Sequence, residues 1–152
     1  IEISDSDNRI SLEKKLVAKA KADIVDVIKR ISNGLQPVSQ RDNDATYCSK
    51  ITKEDGKINF EETAKEIINK YRAFSGWPGA FFEYKDTTIK VHGMSIIEED
   101  NDGIPGSMLG VTKAGIHIKV NDSVIVITHI QLPGKKIINS ADIYNSYKDF
   151  FV

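Results

Sequence analysis

Glu98, Asp100, Asp102 and Gly103 place acidic side chains at alternate positions before a glycine, which is how a calcium-binding EF-hand loop opens. The pattern then breaks. Its twelfth position is Leu109 in place of a bidentate glutamate, and Pro105 lies inside it, so the segment reads as an acidic hairpin loop. His92, His117 and His129 are the only histidines. Without a cysteine pair or HExxH spacing they read as half-buried strand residues, and no metal is expected. Cys48 has no visible catalytic partner and no nucleophile elbow occurs. The Glu61-Glu62 pair belongs to a helix start, where acidic groups favour the positive end of the helix dipole. Pro133-Gly134-Lys135-Lys136 lacks the upstream glycine and the Ser or Thr of a P-loop. Two readings of it stay open. It is an ordinary exposed turn, or a tight turn whose adjacent ammonium groups hold a phosphate backbone as point charges. Asn121-Asp122-Ser123 has the form of a glycosylation sequon and is read as a turn.

The bulk properties bound these options. At 152 residues and 40% hydrophobic the chain can bury a core of ordinary size. A formal charge of −1 gives no global basic footprint, so any nucleic-acid partner has to be held by a local cluster of Lys and Arg. The single cysteine cannot form an internal disulfide. No signal-peptide core, membrane-length apolar run or lipidation motif is present, so a cytoplasmic location with no membrane partner is the default expectation. The chain opens on Ile-Glu-Ile-Ser without an initiator Met and reads as a fragment.

Three segments must position the candidate residues. Ile1 to Gly34 reads as a strand end followed by a helix, with Leu12, Leu16, Ala20, Ile24, Val27, Ile28 and Ile31 at helical spacing. Asp7 or Asn8 is its cap and Ser32-Asn33-Gly34 its close. Residues 35–58 carry Pro37 and a polar run with no sustained period, so they are expected to form an extended linker holding Lys50, Lys53 and Lys57. Plain solvation is the simplest reading of these lysines.

Residues 59–152 are expected to form the third unit. Asn59 and Glu62 have capping-box spacing for a helix reaching Phe74. The run Arg72 to Tyr84 then fuses a helix end, a Trp77-Pro78-Gly79 corner and a strand. Pro78 keeps Trp77 out of the α region and Gly76 suits the C-cap, so Trp77 and Pro78 are expected to be structural, with Trp77 packed rigidly against the elements beneath it. Five strands are predicted over about 79–84, 88–97, 107–112, 115–120 and 123–131, with a closing helix from Ser140 to about Phe151. Short strands joined by tight turns predict a mainly β unit with helices: a partly open antiparallel barrel of the oligonucleotide-binding type, preceded by a helix.

Taken together, ATYCSKITKEDGKINF at 45–60, RAFSGWPGAFF at 72–82, IPGSML at 104–109, GIHIKV at 115–120 and LPGKKIINSADIYNS at 132–146 resemble the methionyl-tRNA formyltransferase family in order and spacing. The resemblance covers nearly the whole chain. Phe60 stands where the family usually has Trp, Cys48 where Ala is usual, and Ser75-Gly76 where Asn-Pro is common. It implies that 1–34 is the remnant of an α/β catalytic domain, 35–58 the interdomain linker and 59–152 the C-terminal barrel domain. It also implies a transferase acting in translation initiation, with 10-formyltetrahydrofolate as co-substrate, initiator methionyl-tRNA as partner, and a monomer. The family's catalytic residues are expected upstream of Ile1, so none is assigned here, the folate is bound outside this chain, and the fragment alone is expected to be inactive.

The same resemblance assigns Lys50, Lys53, Lys135 and Lys136 as tRNA phosphate contacts and Lys57 as a weaker fifth. Arg72 either joins them or braces a domain interface. The alternatives are the C-terminal domain of another folate-dependent formyltransferase, a formyltetrahydrofolate hydrolase or dehydrogenase, and a free-standing interaction module of oligonucleotide-binding type.

Overall fold

A computed structural model of the chain describes residues 1–98 and 102–151. They form two compact units, Ile1–Ile51 and Thr52–Val152. The first is built on one helix, α1 (Arg9–Ser32). Asn8 caps it through a reciprocal pair: its side chain accepts from the Ser11 N–H, and the Asn8 N–H donates to the Ser11 hydroxyl. Asp7 is the nearly buried neighbour of that cap. Its carboxylate accepts from the Lys15 ammonium, the Ser4 backbone N–H and the Ser11 hydroxyl, which hold its carboxyl far below the usual carboxylate range. Asn33 and the left-handed Gly34 end the helix. No residue of α1 is buried. Of the expected strand and helix only the helix is present: Ile1–Ser4 makes no ladder among the described residues, and an unpaired strand has nothing to satisfy its backbone groups.

The second unit is an open, six-stranded antiparallel sheet with two helices. Its strands are β1 (Ala80–Tyr84), β2 (Thr87–Ile97), β3 (Met108–Thr112), β4 (Gly115–Lys119), β5 (Val124–Gln131) and the short β6 (Ile138–Asn139). The order is β1-β2-β5-β4-β3, with β6 paired to β5 beyond the end of β4. Five strands fall within a residue or so of their predicted ranges; β6, two residues long, has no legible period. The β1–β2 turn is Lys85-Asp86, both at positive φ (45° and 60°), which gives a two-residue hairpin the twist it needs. The partly open barrel is thus a curled sheet whose outermost strands, β1 and β3, are not paired with each other.

Its core is Phe82, Ile89 and Val91 from the β1–β2 hairpin, with Ile116, Ile118, Ile125, Ile127 and Ile130 from the inner strands. Helix α2 (Ala64–Ala73) adds Ala64 and Ile67, and α3 (Ser140–Tyr147) with the 3₁₀ turn after it adds Ile143 and Phe151.

Helix α2 starts later than predicted. Its capping box is Thr63 with Glu66, while Asn59 forms a local turn by accepting from the Glu61 N–H. Register decides between the two signals: starting at Thr63 brings Ala64 and Ile67 onto the sheet. A second cap comes from far away in sequence, because the β4–β5 turn carries Asp122, whose Oδ1 accepts from the Ala64 N–H at 2.8 Å.

Candidate nucleic-acid interface

Lys53 begins the 3₁₀ turn Glu54–Gly56, which is held by Asp55. The Thr52 backbone N–H and hydroxyl both donate to that carboxylate, at 2.6 and 2.9 Å, and lower its pKa. Gly56 lets the turn lie flat under the Trp77-Pro78-Gly79 corner, since a Cβ there would sit 2.1 Å from the Gly79 carbonyl oxygen. Beyond it the Ile58 N–H donates to the Phe81 carbonyl, so this stretch runs beside β1. Lys57 is engaged there: its ammonium pairs with Glu83, and that hydrogen bond raises its pKa.

Helix α2 leads into the corner. Phe74 caps its end, Gly76 and Gly79 take left-handed φ values of 90° and 80°, the Trp77-Pro78 peptide is cis, and the Gly79 N–H returns to the Phe74 carbonyl. The expected packing of Trp77 is not found. Trp77 is 55% exposed, and Pro78 and Gly79 make the contact with Gly56 instead. The contact at Gly56 is already filled: a Cβ there would meet the Gly79 carbonyl oxygen at 2.1 Å and the Pro78 ring at 3.3 Å.

Corner, 3₁₀ turn and β2 enclose a cleft of about 270 Å³, whose walls include Lys53, Tyr71, Ser75, Pro78, Lys90 and His92. No carboxylate of the described residues lines it. Tyr71 ties α2 to β2 by donating its hydroxyl to the His92 carbonyl at 2.9 Å, and burial raises its phenol pKa. Lys90 and His92 lie two residues apart on one face of β2, and Lys90 is the register partner of Gln131 on β5. Gln131 extends the surface. Its amide nitrogen donates to the Lys135 carbonyl at 2.9 Å, so its Oε1, 3.2 Å from His92 Nε2, is the acceptor and Nε2 carries the proton. The Lys135 N–H closes its own turn onto the Leu132 carbonyl, with Gly134 at φ 70° and Lys136 exposed beside it.

The geometry therefore links Lys53 to the Lys135-Lys136 turn through Lys90, His92 and Gln131, three residues that the motifs did not single out. Arg72 is half-buried on α2, with its guanidinium 3.4 Å from Asn69 Oδ1, and does not line the cleft. Lys50 is exposed in the other unit. His117 and His129 hydrogen-bond the hydroxyls of Thr112 and Thr128, and among the described residues no group of His, Cys, Asp and Glu is arranged to hold a metal. Within the acidic segment read against an EF-hand, Asp100 lies outside the described residues. No helix among the described residues is long and apolar enough to cross a membrane.

The family described as "Formyl transferase, C-terminal domain" matches residues 50–148. The chain belongs to this family. The match spans Lys50, Lys53, Lys57, Arg72, Lys135 and Lys136 as well as the cleft. Over 150 residues, 97% of its length, the chain is 38% identical to a methionyl-tRNA formyltransferase of Caldicellulosiruptor saccharolyticus. Over 144 residues, 91% of its length, it is 38% identical to a methionyl-tRNA formyltransferase of Finegoldia magna. These alignments cover 48% and 46% of the two relatives, so the chain spans about half the length of the curated relatives it matches. Among solved structures, a variant of HypX from Aquifex aeolicus shares the fold, with a TM-score of 0.57 and 20% identity over 86% of this chain and 24% of HypX.

Proposed function

We propose that this chain is the tRNA-holding C-terminal part of an enzyme that transfers a formyl group from 10-formyltetrahydrofolate to the amino group of initiator methionyl-tRNA. In this reading the enzyme works as a monomer in the cytoplasm. The observation that carries it is the joining of Lys53 and Lys135 to one basic sheet surface, within a family domain whose 38%-identical relatives bear that enzyme's name. Lys53, Lys135 and Lys136, with Lys50 from the linker, contact phosphates and position the acceptor stem without reading its sequence. Lys57, already paired with Glu83, contributes less, and Arg72 acts mainly as a brace. Formyl transfer and folate binding belong to other parts of the enzyme, so the 152-residue chain alone transfers no formyl group.

The test is direct. Purified chain is expected to bind tRNA weakly, and the double substitution Lys135→Glu, Lys136→Glu is expected to reduce that binding at low salt. Binding unchanged by the double substitution would overturn the assignment. A second reading keeps the family and changes the substrate: the chain is the C-terminal domain of another folate-dependent formyltransferase or hydrolase, one that acts on a small molecule. It predicts no tRNA binding by the unaltered chain.

A further inference from the structure

The Lys135-Lys136 turn lies in the connection between β5 and β6, and little in its own backbone fixes it. The β5–β6 ladder is two pairs long and ends at Ile130 and Ile138, so residues 131–137 lie beyond its last pair. That is long for a hairpin connection, which usually takes roughly two to five residues. Among the described residues the backbone of 132–136 takes part in two hydrogen bonds: the Lys135 N–H donates to the Leu132 carbonyl, and the Gln131 side chain donates to the Lys135 carbonyl. The side chains add no anchor, since neither ammonium group is paired with a carboxylate among the described residues.

Gln131 supplies the anchor. Only its NH2 group can donate to the Lys135 carbonyl, at 2.9 Å, and this orients its Oε1 to accept from His92 Nε2 at 3.2 Å. A carboxylate would lose the first bond and an ammonium the second, whereas an amide makes both at once. His92 is itself held, because its carbonyl accepts from the Tyr71 hydroxyl on α2 at 2.9 Å. Three hydrogen bonds therefore run from α2 through β2 to the turn. Gln131 is half-buried and lies outside the core, so the chain restrains a loop more than it supports the fold. Fixing a glutamine side chain costs rotamer freedom, and what it fixes here is the backbone that carries the two lysines. A binding loop ordered beforehand gains affinity, since its ordering cost is not met at the moment of contact. We propose that Gln131, anchored by His92, is a positioning residue that presets the Lys135-Lys136 turn for phosphate and does not itself touch RNA. The proposal rests on the reading of this chain as a tRNA-holding part and deepens it, by adding to the lysines the pair of side chains that aims them.

The unaltered chain gives the first test. NMR order parameters of the Lys135 and Lys136 backbone amides are expected to match those of a rigid strand, about 0.85, and to fall below about 0.6 in Gln131→Met, which keeps the side-chain length but neither hydrogen bond. Gln131→Met is expected to weaken tRNA binding about fivefold, the worth of one hydrogen bond, and to leave urea unfolding unmoved. His92→Ala is expected to weaken binding in the same direction, and His92→Gln, which keeps an N–H donor, to bind like the unaltered chain. In the Lys135→Ala, Lys136→Ala background, Gln131→Met is expected to cost nothing more. Order parameters below about 0.6 at the turn of the unaltered chain overturn the proposal without any variant. So does a further loss in the double-alanine background, which would make Gln131 an RNA contact, or an equal loss with His92→Ala and His92→Gln. The two readings fail separately. If tRNA binding responds to Lys135→Glu, Lys136→Glu but not to Gln131→Met, the positioning role falls and the tRNA reading stands. If the chain binds a polyphosphate but not tRNA, and Gln131→Met weakens the polyphosphate binding, the tRNA reading falls and the positioning role stands.

Discussion

At the residue scale, small side chains and one strongly held carboxylate decide what the local structure can be. Gly56 is required by contact: the Cβ of Gly56→Ala would press on the backbone carbonyl of Gly79, which cannot swing aside like the end of a flexible side chain. Overpacking against backbone costs about 1–3 kcal/mol, and this substitution is expected to lower the unfolding free energy from urea titration by that much and to open the cleft mouth. Gly134→Ala meets nothing within 4 Å and is strained only by its φ of 70°, so it is expected to cost less. Asp7 makes a pH prediction. Its carboxyl is lowered in the folded state, first by Lys15 and then by Ser4 and Ser11, so the folded state favours the charged form. The resulting stability is complete above the unfolded carboxyl pKa of about 3.9 and is lost as the pH falls below it. The difference in helix content between the native chain and Asp7→Asn, followed by circular dichroism, is expected to be constant from neutral pH down to about 5 and to shrink under acid. A difference that grew under acid would contradict this.

At the element scale, helix α2 is held at its first turn by groups from two places, and each is testable. Thr63→Ala removes the local capping oxygen and Asp122→Ala the one supplied by the β4–β5 turn. Each is expected to destabilise the second unit by about 1 kcal/mol in urea unfolding, and Asp122→Asn, which keeps the accepting oxygen, by less. The pair also explains what the sequence reveals. Two capping boxes occur four residues apart, Asn59 with Glu62 and Thr63 with Glu66, and local chemistry does not rank them; burial of Ala64 and Ile67 does. Asp122 was legible as a turn residue but not as a cap, because its partner lies 58 residues away. The strands were legible because β-branched runs between tight turns carry their own period. Lys90, His92 and Gln131 were not: on the outer face of a strand a cleft-lining lysine has the same pattern as a solvated one, and only the β2–β5 register brings them to the Lys135 turn. The motifs pointed to the rim lysines, while the cleft between them needed tertiary structure. Trp77 shows the converse. The corner was readable, but its packing partner, Gly56, lies twenty-one residues before Trp77 and meets Pro78 and Gly79 while Trp77 stays exposed.

At the scale of the whole molecule, the formal charge of −1 means that no general field draws a polyanion in, so affinity has to come from the contacts of Lys50, Lys53, Lys135 and Lys136. That makes the salt dependence a count of contacts. Four phosphates neutralised, at about 0.7 to 0.9 counterion released per contact, give a slope of about −3 for log affinity against log salt. The double substitution Lys135→Ala, Lys136→Ala is expected to reduce the slope by about 1.5, since each phosphate-contacting lysine accounts for about 0.7 to 0.9, and to weaken binding evenly across tRNA sequences because phosphate contacts carry no sequence information. Lys57→Ala is expected to leave the slope almost unchanged, since its charge is already met by Glu83. Titrations of the chain and these variants with tRNA over a salt series give all three slopes. A steep slope that survived loss of the turn lysines would move the contact elsewhere on the chain. A slope near zero for the native chain would mean that the basic surface does not meet phosphate at all, because in a protein of near-neutral charge these lysines have no other way of making RNA affinity depend on salt.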